Sequence, residues 1–322
     1  MLVNTGLLLL GFGLIIKGAD FLVDGSSSLA KRYNVSELTI GLTIVAFGTS
    51  APELVVNIIA AIKNYDNVSL GNIIGSNIFN LFLILGFAGL IYPIVVQSKT
   101  VWKEIPLSLF AGIILLFLAN DAWFAKSAKD TIKWYDGIIL LSVFSLFIYY
   151  AFRNLRAESD LKADLIKVFG LGRTILYITI GFVFLIFGGK MVVNNAVELA
   201  KFLHVNEKII GLTIVATGTS LPELATSAVA AFKKRSDLAI GNVIGSNIFN
   251  ILFILGITSL IRPLHYSISF NLDIGIYLLG TTFLFIAMFT GKKKRLDRWE
   301  ALILFSGYFV YIFYLIIDAL KQ

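Results

Sequence analysis

The feature that most constrains this chain is a repeat within its own sequence. Residues 41–54 read GLTIVAFGTSAPEL, and residues 211–224, which lie 170 positions later, read GLTIVATGTSLPEL. Residues 71–80 (GNIIGSNIFN) and residues 241–250 (GNVIGSNIFN) are separated by the same 170 positions. Two pairs of nearly identical segments with one common spacing indicate an internal duplication, so the chain should fold as two related halves.

The composition places both halves in a membrane. Of the 322 residues, 57% are apolar and only 15% are charged, and the mean hydropathy is +0.86. A transmembrane helix needs about 20 predominantly apolar residues. The chain contains ten such segments, at about residues 5–30, 37–62, 68–95, 101–119, 132–152, 173–202, 207–232, 238–262, 270–290 and 298–319. The predicted fold is therefore an all-α, polytopic integral membrane protein with ten transmembrane helices, surrounded by the lipid bilayer.

The number of predicted helices in each half fixes how the halves are related. Each half has five, and because five is odd, the second half must enter the membrane from the opposite side. The sequence therefore predicts two inverted five-helix repeats, residues 1–152 and 173–322, joined by a hydrophilic connector at residues 153–172. Inverted repeats are typical of secondary transporters, which exchange the conformations of their halves to face alternate sides of the membrane.

Lysine and arginine residues are distributed unequally between the two sides of the predicted helices. The loops after the first, third, fifth, seventh and ninth helices carry 17 of them, whereas the opposite side carries 8. Because positive residues favour the cytoplasm, we expect a cell-membrane protein with a cytoplasmic connector and both termini outside. The cluster from Lys292 to Arg295 could also contact anionic lipid, although the topology alone explains it.

The net charge and the cysteine content exclude several kinds of partner. The formal net charge of +7 does not indicate a nucleic-acid partner, because the basic residues form short clusters between long apolar runs. The chain has no cysteine, which excludes disulfides and thiolate metal ligands. No sequence feature indicates an obligatory protein partner.

The first repeated motif places a proline and a glutamate within a transmembrane segment. Pro52 has no N–H and clashes with the preceding turn, so the helix should break there and leave carbonyls around Ala46 to Gly48 without helical partners. The hydroxyls of Thr49 and Ser50 lie beside this break, and Glu53 falls on the same helix face. The second copy repeats the arrangement at Ala216, Thr219, Ser220 and Glu223.

The glutamates distinguish a binding site from an ordinary proline kink. A kink with Gly, Ser and Thr often only permits close packing, but a charge near mid-bilayer is costly and should neutralise a cation, form a pair or carry a proton. Equivalent positions in inverted halves should bring Glu53 and Glu223 together. Carboxylate, hydroxyl and carbonyl oxygens are the ligands of hard cations such as Ca²⁺, and no histidine accompanies them, which argues against a soft metal. Two carboxylates would balance one Ca²⁺ or two Na⁺.

The second repeated motif supplies further candidate ligands. Ser76 and Asn80 are four residues apart and share a helix face, as do Ser246 and Asn250 in the second half. Their oxygens could therefore be aimed at the same ion, from the helix that follows each broken one.

The remaining residues of the second motif have structural interpretations. Gly71 and Gly75 form a GxxxG pair that permits close helix approach. Asn77 and Asn247 are expected to hydrogen-bond the broken backbone of the neighbouring helix.

A pair of charged residues in the first helix of each half is also related by the 170-residue spacing. Asp20 and Lys190 could form an ion pair across the pseudo-two-fold axis. Alternatively, each could extend toward the membrane surface or pair locally, with Lys17 and Glu198 respectively.

The two motifs resemble the alpha repeats of the sodium/calcium exchanger family, within the larger superfamily of cation/Ca²⁺ antiporters. The segments GTS-x-PE and GSN, each present twice, carry the resemblance, which extends over ten spans, two inverted repeats and a connector. It implies an antiporter rather than an enzyme, with Ca²⁺ and Na⁺ as transported ions and no cofactor, in which spans 1 and 6 slide over spans 2, 3, 7 and 8. The implied ion ligands are Thr49, Ser50, Glu53, Ser76, Asn80, Thr219, Ser220, Glu223, Ser246 and Asn250, with the carbonyls of Ala46 and Ala216.

One position departs from the pattern of several family members. Some of them, including K⁺-dependent ones, carry Asp where this chain has Asn250. With Asn at both 80 and 250, K⁺ dependence is not expected. The connector is also too short for the large Ca²⁺-sensing domains of animal exchangers.

Three other functions remain open from the sequence. In H⁺/Ca²⁺ exchange, Glu53 and Glu223 would release Ca²⁺ by becoming protonated. A cation channel would move ions without a counter-ion. A membrane hydrolase would use Ser50 and Glu53, but no nearby base and oxyanion arrangement is evident.

Overall fold

The structure is a computed structural model that describes residues 2–98, 100–121, 130–153, 168–202, 216–291 and 293–321. Most of the connector and the first part of the seventh predicted span, residues 207–215, lie outside the described residues. The described chain is helical nearly throughout, with the bounds α1 (Leu2–Arg32), α2 (Glu37–Thr49), α3 (Ala51–Ile62), α4 (Asp66–Ile91), α5 (Thr100–Ala119), α6 (Trp134–Arg153), α7 (Leu171–Phe202), α8 (Ala216–Gly218), α9 (Leu221–Phe232), α10 (Ser236–Ile261), α11 (Phe270–Ala287) and α12 (Arg298–Lys321).

The helices account for the predicted membrane spans. Among the described residues, 8 helices are long and apolar enough to cross a membrane, and the bent pair α2 and α3 forms another span. Helix α9 is the described part of the remaining one and is itself apolar. The all-α membrane fold with ten spans is therefore confirmed.

Contacts between loops show that the two halves run in opposite directions. On one face, Arg235 after the seventh span lies 3.8 Å from Glu37 after the first. On the other face, Arg262 after the eighth span lies 3.5 Å from Asp66 after the second. Odd-numbered loops thus share one face and even-numbered loops share the other, which is the geometry of inverted repeats.

Two short antiparallel ladders tie the halves together. Strand β1 (Ile94–Val95) pairs with β4 (Arg295–Leu296) on the odd-loop face. Strand β2 (Thr131–Ile132) pairs with β3 (Leu264–His265) on the opposite face. Each ladder joins one strand from each half, so it fixes where a loop of one half lies against the other. Residues 92–95, which were predicted to end the third span, instead form a bend and strand β1.

The helices with the repeated GSN motif form the centre of the molecule. In α4 and α10, 72% and 78% of the most apolar 18-residue window is buried, compared with 28% in α7 and α12. Peripheral helices therefore face lipid, and the polar motif residues lie where protein surrounds them.

Glycines allow two pairs of helices to approach with their backbones in contact. A Cβ at Gly245 of α10 would lie 2.7 Å from the Ala46 side chain and 2.9 Å from Leu42 Cα, so α2 and α10 touch. A Cβ at Gly18 of α1 would lie 2.9 Å from the carbonyl oxygen of Gly181 in α7. Small residues at such crossings are how membrane helices maximise van der Waals contact.

The charged residue Asp20 has a partner that no sequence alternative included. Its carboxylate pairs with Lys233, which follows α9, and the Lys233 ammonium also lies 2.7 Å from Asp24 Oδ1. Of the alternatives for Asp20, an ion pair with Lys190 or with Lys17 is not formed among the described residues. Helix α1 extends past the end of α9, so Asp20 and Asp24 lie beside Lys233. Asp20 does not lie beside Lys190, which holds the equivalent position in the other half.

Candidate ion-binding site

The predicted helix breaks are present in both halves. Ser50 separates α2 from α3 with φ −82° and ψ 6°, and the two helix axes differ by 45°. Ser220 takes the same position before α9, with φ −91° and ψ 9°. Pro52 and Glu53 therefore fall in the first turn of α3, and their counterparts fall in the first turn of α9.

The backbone at the two breaks is not identical. The N–H of Ser50 donates to the carbonyl of Ala46 at 3.0 Å, so this carbonyl keeps the helical partner that the sequence analysis expected it to lose. The N–H of Ser220 donates instead to Thr217 at 3.2 Å. The Ala46 carbonyl oxygen also lies 3.3 Å from the Thr49 hydroxyl, which has a shorter bond to the Val45 carbonyl at 3.0 Å. A carbonyl oxygen has two lone pairs, so an ion at Ala46 would replace this longer bond.

The two glutamates are brought together through the serine that precedes each of them. The Ser220 hydroxyl donates to Glu53 Oε1 at 2.9 Å, and the Ser50 hydroxyl donates to Glu223 Oε1 at 3.0 Å. Both bonds cross between the halves, and both glutamates are only 1% exposed. The inverted repeats thus build one shared site in which each half holds the carboxylate of the other.

The asparagines of the second motif form another reciprocal set between the halves. Asn80 Nδ2 donates to Asn247 Oδ1 at 3.1 Å, and Asn250 Nδ2 donates to Asn77 Oδ1 at 3.0 Å. Asn77 therefore bonds Asn250, and Asn247 bonds Asn80. The expectation that Asn77 and Asn247 hydrogen-bond the broken backbone of the neighbouring helix is wrong. Because the amide N–H₂ groups of Asn80 and Asn250 are used in this way, their Oδ1 atoms are turned in the other direction.

Asn80 and Asn250 lie on stretches of π-helix that the sequence did not predict. The π segments are Phe79–Ile84 in α4 and Phe249–Ile254 in α10, each beginning directly before the asparagine. A π turn inserts a residue into the helix and is frequent at functional sites because it re-aims side chains. Ser76 therefore lies in the α-helical part of α4, and Asn80 lies four residues later in the π-helical part.

Several acceptor oxygens in this region are buried and have no hydrogen-bond partner among the described residues. They are Oε2 of Glu53 and Glu223, Oδ1 of Asn80 and Asn250, and the Ser246 hydroxyl. Leaving a buried acceptor unpaired costs about 1–3 kcal/mol, so five in one region indicate a ligand other than a protein donor. Carboxylate, amide and hydroxyl oxygens are the ligands of a hard cation, and the residues present therefore fit one.

Ser76 joins this set through the serine of the other half. Its hydroxyl lies 3.1 Å from Ser220 Oγ, the same atom that donates to Glu53. Thr49 and Thr219 directly precede the serines at the two helix breaks, and each contacts an asparagine of the opposite half. The Thr49 hydroxyl is 3.1 Å from Asn242 Oδ1, and Asn72 Nδ2 donates to Thr219 Oγ1 at 3.2 Å.

Asn72 and Asn242 are site residues that the sequence analysis missed. They occupy the second position of the repeated GN-x-IGSN motif, so their presence in both copies was a visible signal. Asn242 Nδ2 donates to Ser227 at 2.9 Å and to the Glu223 carbonyl at 3.3 Å. These bonds hold the first turn of α9, and thereby Glu223, in position.

One substitution between the halves makes the two sides of the site chemically different. Asn57 and Ser227 are at equivalent positions. Asn57 Nδ2 donates to the Glu53 carbonyl and to Asn72 Oδ1, both at 2.8 Å, so the Asn72 amide N–H₂ faces Thr219. In the second half, Ser227 has no amide to donate to the Glu223 carbonyl, so Asn242 Nδ2 bonds this carbonyl instead. The Asn242 amide is therefore oriented opposite to the Asn72 amide. The site is therefore symmetric in its carboxylates and asymmetric in the amides behind them.

Comparison with known proteins identifies the family of the chain. The family described as "Sodium/calcium exchanger protein" matches residues 3–153 and 173–317, which is most of the chain. The chain belongs to the sodium/calcium exchanger family. It is also 36% identical over 318 residues to the putative antiporter CaxA of Alkalimonas amylolytica, with 97% of this chain and 98% of that protein covered. It is 32% identical over 346 residues to the sodium/calcium exchanger MaX1 of Methanosarcina acetivorans, with 96% and 97% covered.

A solved structure of the family shares the whole fold. The chain resembles the sodium-calcium exchanger NCX_Mj with a TM-score of 0.84 and 31% identity, over 97% of this chain and 98% of that one. The protein is thus a membrane antiporter of the sodium/calcium exchanger family, and the site shared between its halves is at the centre of the exchanger fold.

The asparagine behind Glu223 gives a test of how the site is held together. We expect Asn242→Leu to lower the thermal unfolding temperature of the full chain in detergent. The substitution removes the Nδ2 group that donates to the buried Ser227 hydroxyl and to the Glu223 carbonyl, and a buried polar group that loses its partner costs about 1–3 kcal/mol. Asn194→Leu, at an exposed position of α7, is the control and should unfold at the wild-type temperature. Equal unfolding temperatures for the two variants would contradict this account of the site.

Proposed function

We propose that this exchanger moves Ca²⁺ across the cell membrane in exchange for Na⁺, by alternating access to the site around Glu53 and Glu223. The observation that carries the proposal is the pair of buried glutamates, each bonded through Oε1 to a serine of the other half. Their Oε2 atoms are buried with no hydrogen-bond partner among the described residues. A buried carboxylate pair of this kind is stable only when a cation or a proton neutralises it.

The charge and ligand types of the site support both proposed ions. Two carboxylates are balanced by one Ca²⁺ or by two Na⁺, and the other ligands are neutral oxygens that suit either ion. Among the described residues, no cluster of three or more His, Cys, Asp or Glu is present. A low count of charged ligands weakens Ca²⁺ binding, which suits an ion that must also leave the site.

The proposed ligands are drawn from both halves and from both repeated motifs. They are Thr49, Ser50, Glu53, Ser76, Asn80, Thr219, Ser220, Glu223, Ser246 and Asn250, with the carbonyl oxygens of Ala46 and Ala216. The crossed serine–glutamate bonds support this set because they place ligands of each half beside those of the other. When the two inverted halves exchange conformations, such a shared site is exposed first to one side and then to the other.

The relatives support Na⁺ as the coupling ion. MaX1 is named a sodium/calcium exchanger, and NCX_Mj is described as a sodium-calcium exchanger that was soaked with Na⁺ and Ca²⁺. Asn at both 80 and 250 keeps the site at two charges, and we therefore propose transport without K⁺. The excess of Lys and Arg on the odd-numbered loops supports a cytoplasmic connector, with both termini outside.

Proton coupling is the second candidate, and the same glutamates favour it. A buried carboxylate with a free Oε2 can take up a proton in place of a metal ion, and a proton at each glutamate would release one Ca²⁺. Proton and Na⁺ coupling differ in which gradient drives the flux, so transport measurements separate them.

We expect a Na⁺ gradient to drive Ca²⁺ uptake into proteoliposomes that contain the purified chain. Uptake of radioactive Ca²⁺ should rise several-fold over the rate without a gradient and should not require K⁺. Protein-free liposomes are the control. Uptake that follows a pH gradient and ignores Na⁺ would replace Na⁺ with H⁺ as the coupling ion, and flux without any counter-ion would indicate a channel.

A further inference from the structure

A cavity beside the β1–β4 ladder lies far from the exchanger site, on the odd-loop face of the protein. Its volume is about 630 Å³, and it is lined by Tyr92, Pro93, Val95, Arg295, Asp297, Arg298 and Trp299. The cavity thus lies where the end of α4 from the first half meets the start of α12 from the second. The ion-exchange mechanism uses none of these residues.

The basic residues around this cavity include several without an acidic partner. Arg295 is paired with Asp297 at 2.7 Å. Among the described residues, however, no ion pair is formed by the exposed side chains of Lys234, Lys293, Lys294 or Arg298. Lys234 Nζ lies 5.9 Å from the centre of the ring of Tyr92, which is one of the lining residues.

The equivalent ladder on the opposite face shows that this charge excess is specific to one side. There, β2 and β3 pair in the same way, and the Lys133 N–H is capped by Asp136 as the Asp297 N–H is capped by Glu300. The two described basic residues nearest that ladder are neutralised: Lys133 lies 2.7 Å from Asp121, and Arg262 lies 3.5 Å from Asp66. The two ladders share the same backbone arrangement, and among the described residues beside them, unpaired cations are found next to β1 and β4.

The aromatic residues place the cavity at the depth of lipid headgroups. Trp299 is 53% exposed and is the second residue of the apolar helix α12, and Tyr92 follows the last residue of the transmembrane helix α4. Trp and Tyr at helix ends mark the membrane–water interface. The partly exposed Val95 adds an apolar wall beside the two rings. An anion that is abundant at this depth and carries an apolar body is a phospholipid.

We propose that this cavity binds the headgroup phosphate of an anionic phospholipid. Arg298 and Lys234 contact the phosphate oxygens, since guanidinium and ammonium groups are the usual phosphate ligands of proteins. Trp299 and Val95 pack against the glycerol and the start of the acyl chains. Because the cavity is bordered by both halves, a bound lipid stabilises the junction between them and raises the stability of the folded protein.

Thermal unfolding of the purified full chain in detergent tests the site. Added phosphatidylglycerol should raise the unfolding temperature, whereas phosphatidylcholine and soluble glycerol 3-phosphate should not. Arg298→Gln and Lys234→Gln should each lose at least half of the phosphatidylglycerol shift. Lys63→Gln removes an exposed lysine on the opposite face and should keep the full shift.

Several outcomes would overturn the proposal. If the Arg298→Gln and Lys234→Gln variants keep the wild-type shift, the lipid does not bind in this cavity. If glycerol 3-phosphate alone gives the full shift, the ligand is a soluble phosphate rather than a lipid. Arg298 also donates a long hydrogen bond to the Ile91 carbonyl at 3.5 Å. Lys234→Gln therefore carries the test if Arg298→Gln does not fold, because the described side-chain contact of Lys234 is with the Tyr92 ring and the substitution leaves its backbone bond to Ala231 in place.

Discussion

Replacing Glu53 with Gln is expected to abolish Ca²⁺ exchange without unfolding the protein. Gln keeps the size of the side chain and an oxygen that accepts the Ser220 hydroxyl, so the contact between the halves survives. The site, however, is left with one carboxylate for a doubly charged ion in a buried position. An uncompensated buried charge costs about 3 kcal/mol or more, so the Ca²⁺ exchange rate at limiting Ca²⁺ should fall by about 100-fold or more.

The measurement is Na⁺-driven uptake of radioactive Ca²⁺ into proteoliposomes, with Ca²⁺-induced thermal stabilisation as a second readout. Glu223→Gln should behave like Glu53→Gln, because the two residues hold equivalent positions in the shared site. Glu198→Gln removes an exposed carboxylate of α7 and should transport normally. Without Ca²⁺, the unfolding temperature of the Glu53→Gln variant should not fall, since it buries one charge fewer. Near-normal uptake by this variant would remove the basis of the proposed site.

Replacing Gly18 with Leu is expected to prevent the two longest helices from packing, with a large loss of stability. A Cβ at Gly18 would lie 2.9 Å from the carbonyl oxygen of Gly181, from Leu185 N and from Phe184 Cβ. Two of these atoms belong to the backbone of α7, so no side-chain rotation relieves the clash. Overpacking in a well-packed interior costs about 1–3 kcal/mol, and separating α1 from α7 along their contact should cost at least the upper end of that range.

The matched control lies in the same helix. Gly13→Leu introduces the same side chain five positions earlier, where no described atom lies within 4 Å of the added Cβ. We expect this variant to fold and unfold like the wild type in detergent, whereas Gly18→Leu should give little folded protein by size-exclusion chromatography. Equal yields and equal unfolding temperatures for both variants would show that the close approach of α1 and α7 is not needed for the fold.

The fold class followed from local properties of the chain. Ten apolar segments and an odd number of them in each half were enough to predict a membrane protein of inverted repeats, since lipid forces backbone groups to bond within each helix. The helix breaks followed from Pro52 and its counterpart, because a missing N–H acts on its own turn whatever surrounds it. Because Glu53 and Glu223 hold equivalent positions in the repeat, the sequence also predicted that they lie at equivalent depths in halves of opposite orientation.

The contacts between distant residues could not be predicted from local properties of the sequence. Asp20 pairs with Lys233, and Asn77 and Asn247 bond the asparagines of the opposite half. Which side chains meet depends on how far each helix extends and how it is rotated, and the sequence of one helix does not contain that information. The ladders between β1 and β4 and between β2 and β3 are two residues long, too short for an alternating pattern to be visible.

By itself, the sequence determined that this protein is a duplicated, inverted membrane transporter fold with two acidic residues inside it. These properties follow from the length of the apolar segments, the spacing of the repeat and a proline, all of which are visible in the sequence without any knowledge of tertiary contacts. The tertiary structure alone decided that each serine holds the glutamate of the other half and that Asn57 and Ser227 make the two sides unequal. Such bonds form between residues more than a hundred positions apart or depend on a neighbour's orientation, so only the packed helices specify them.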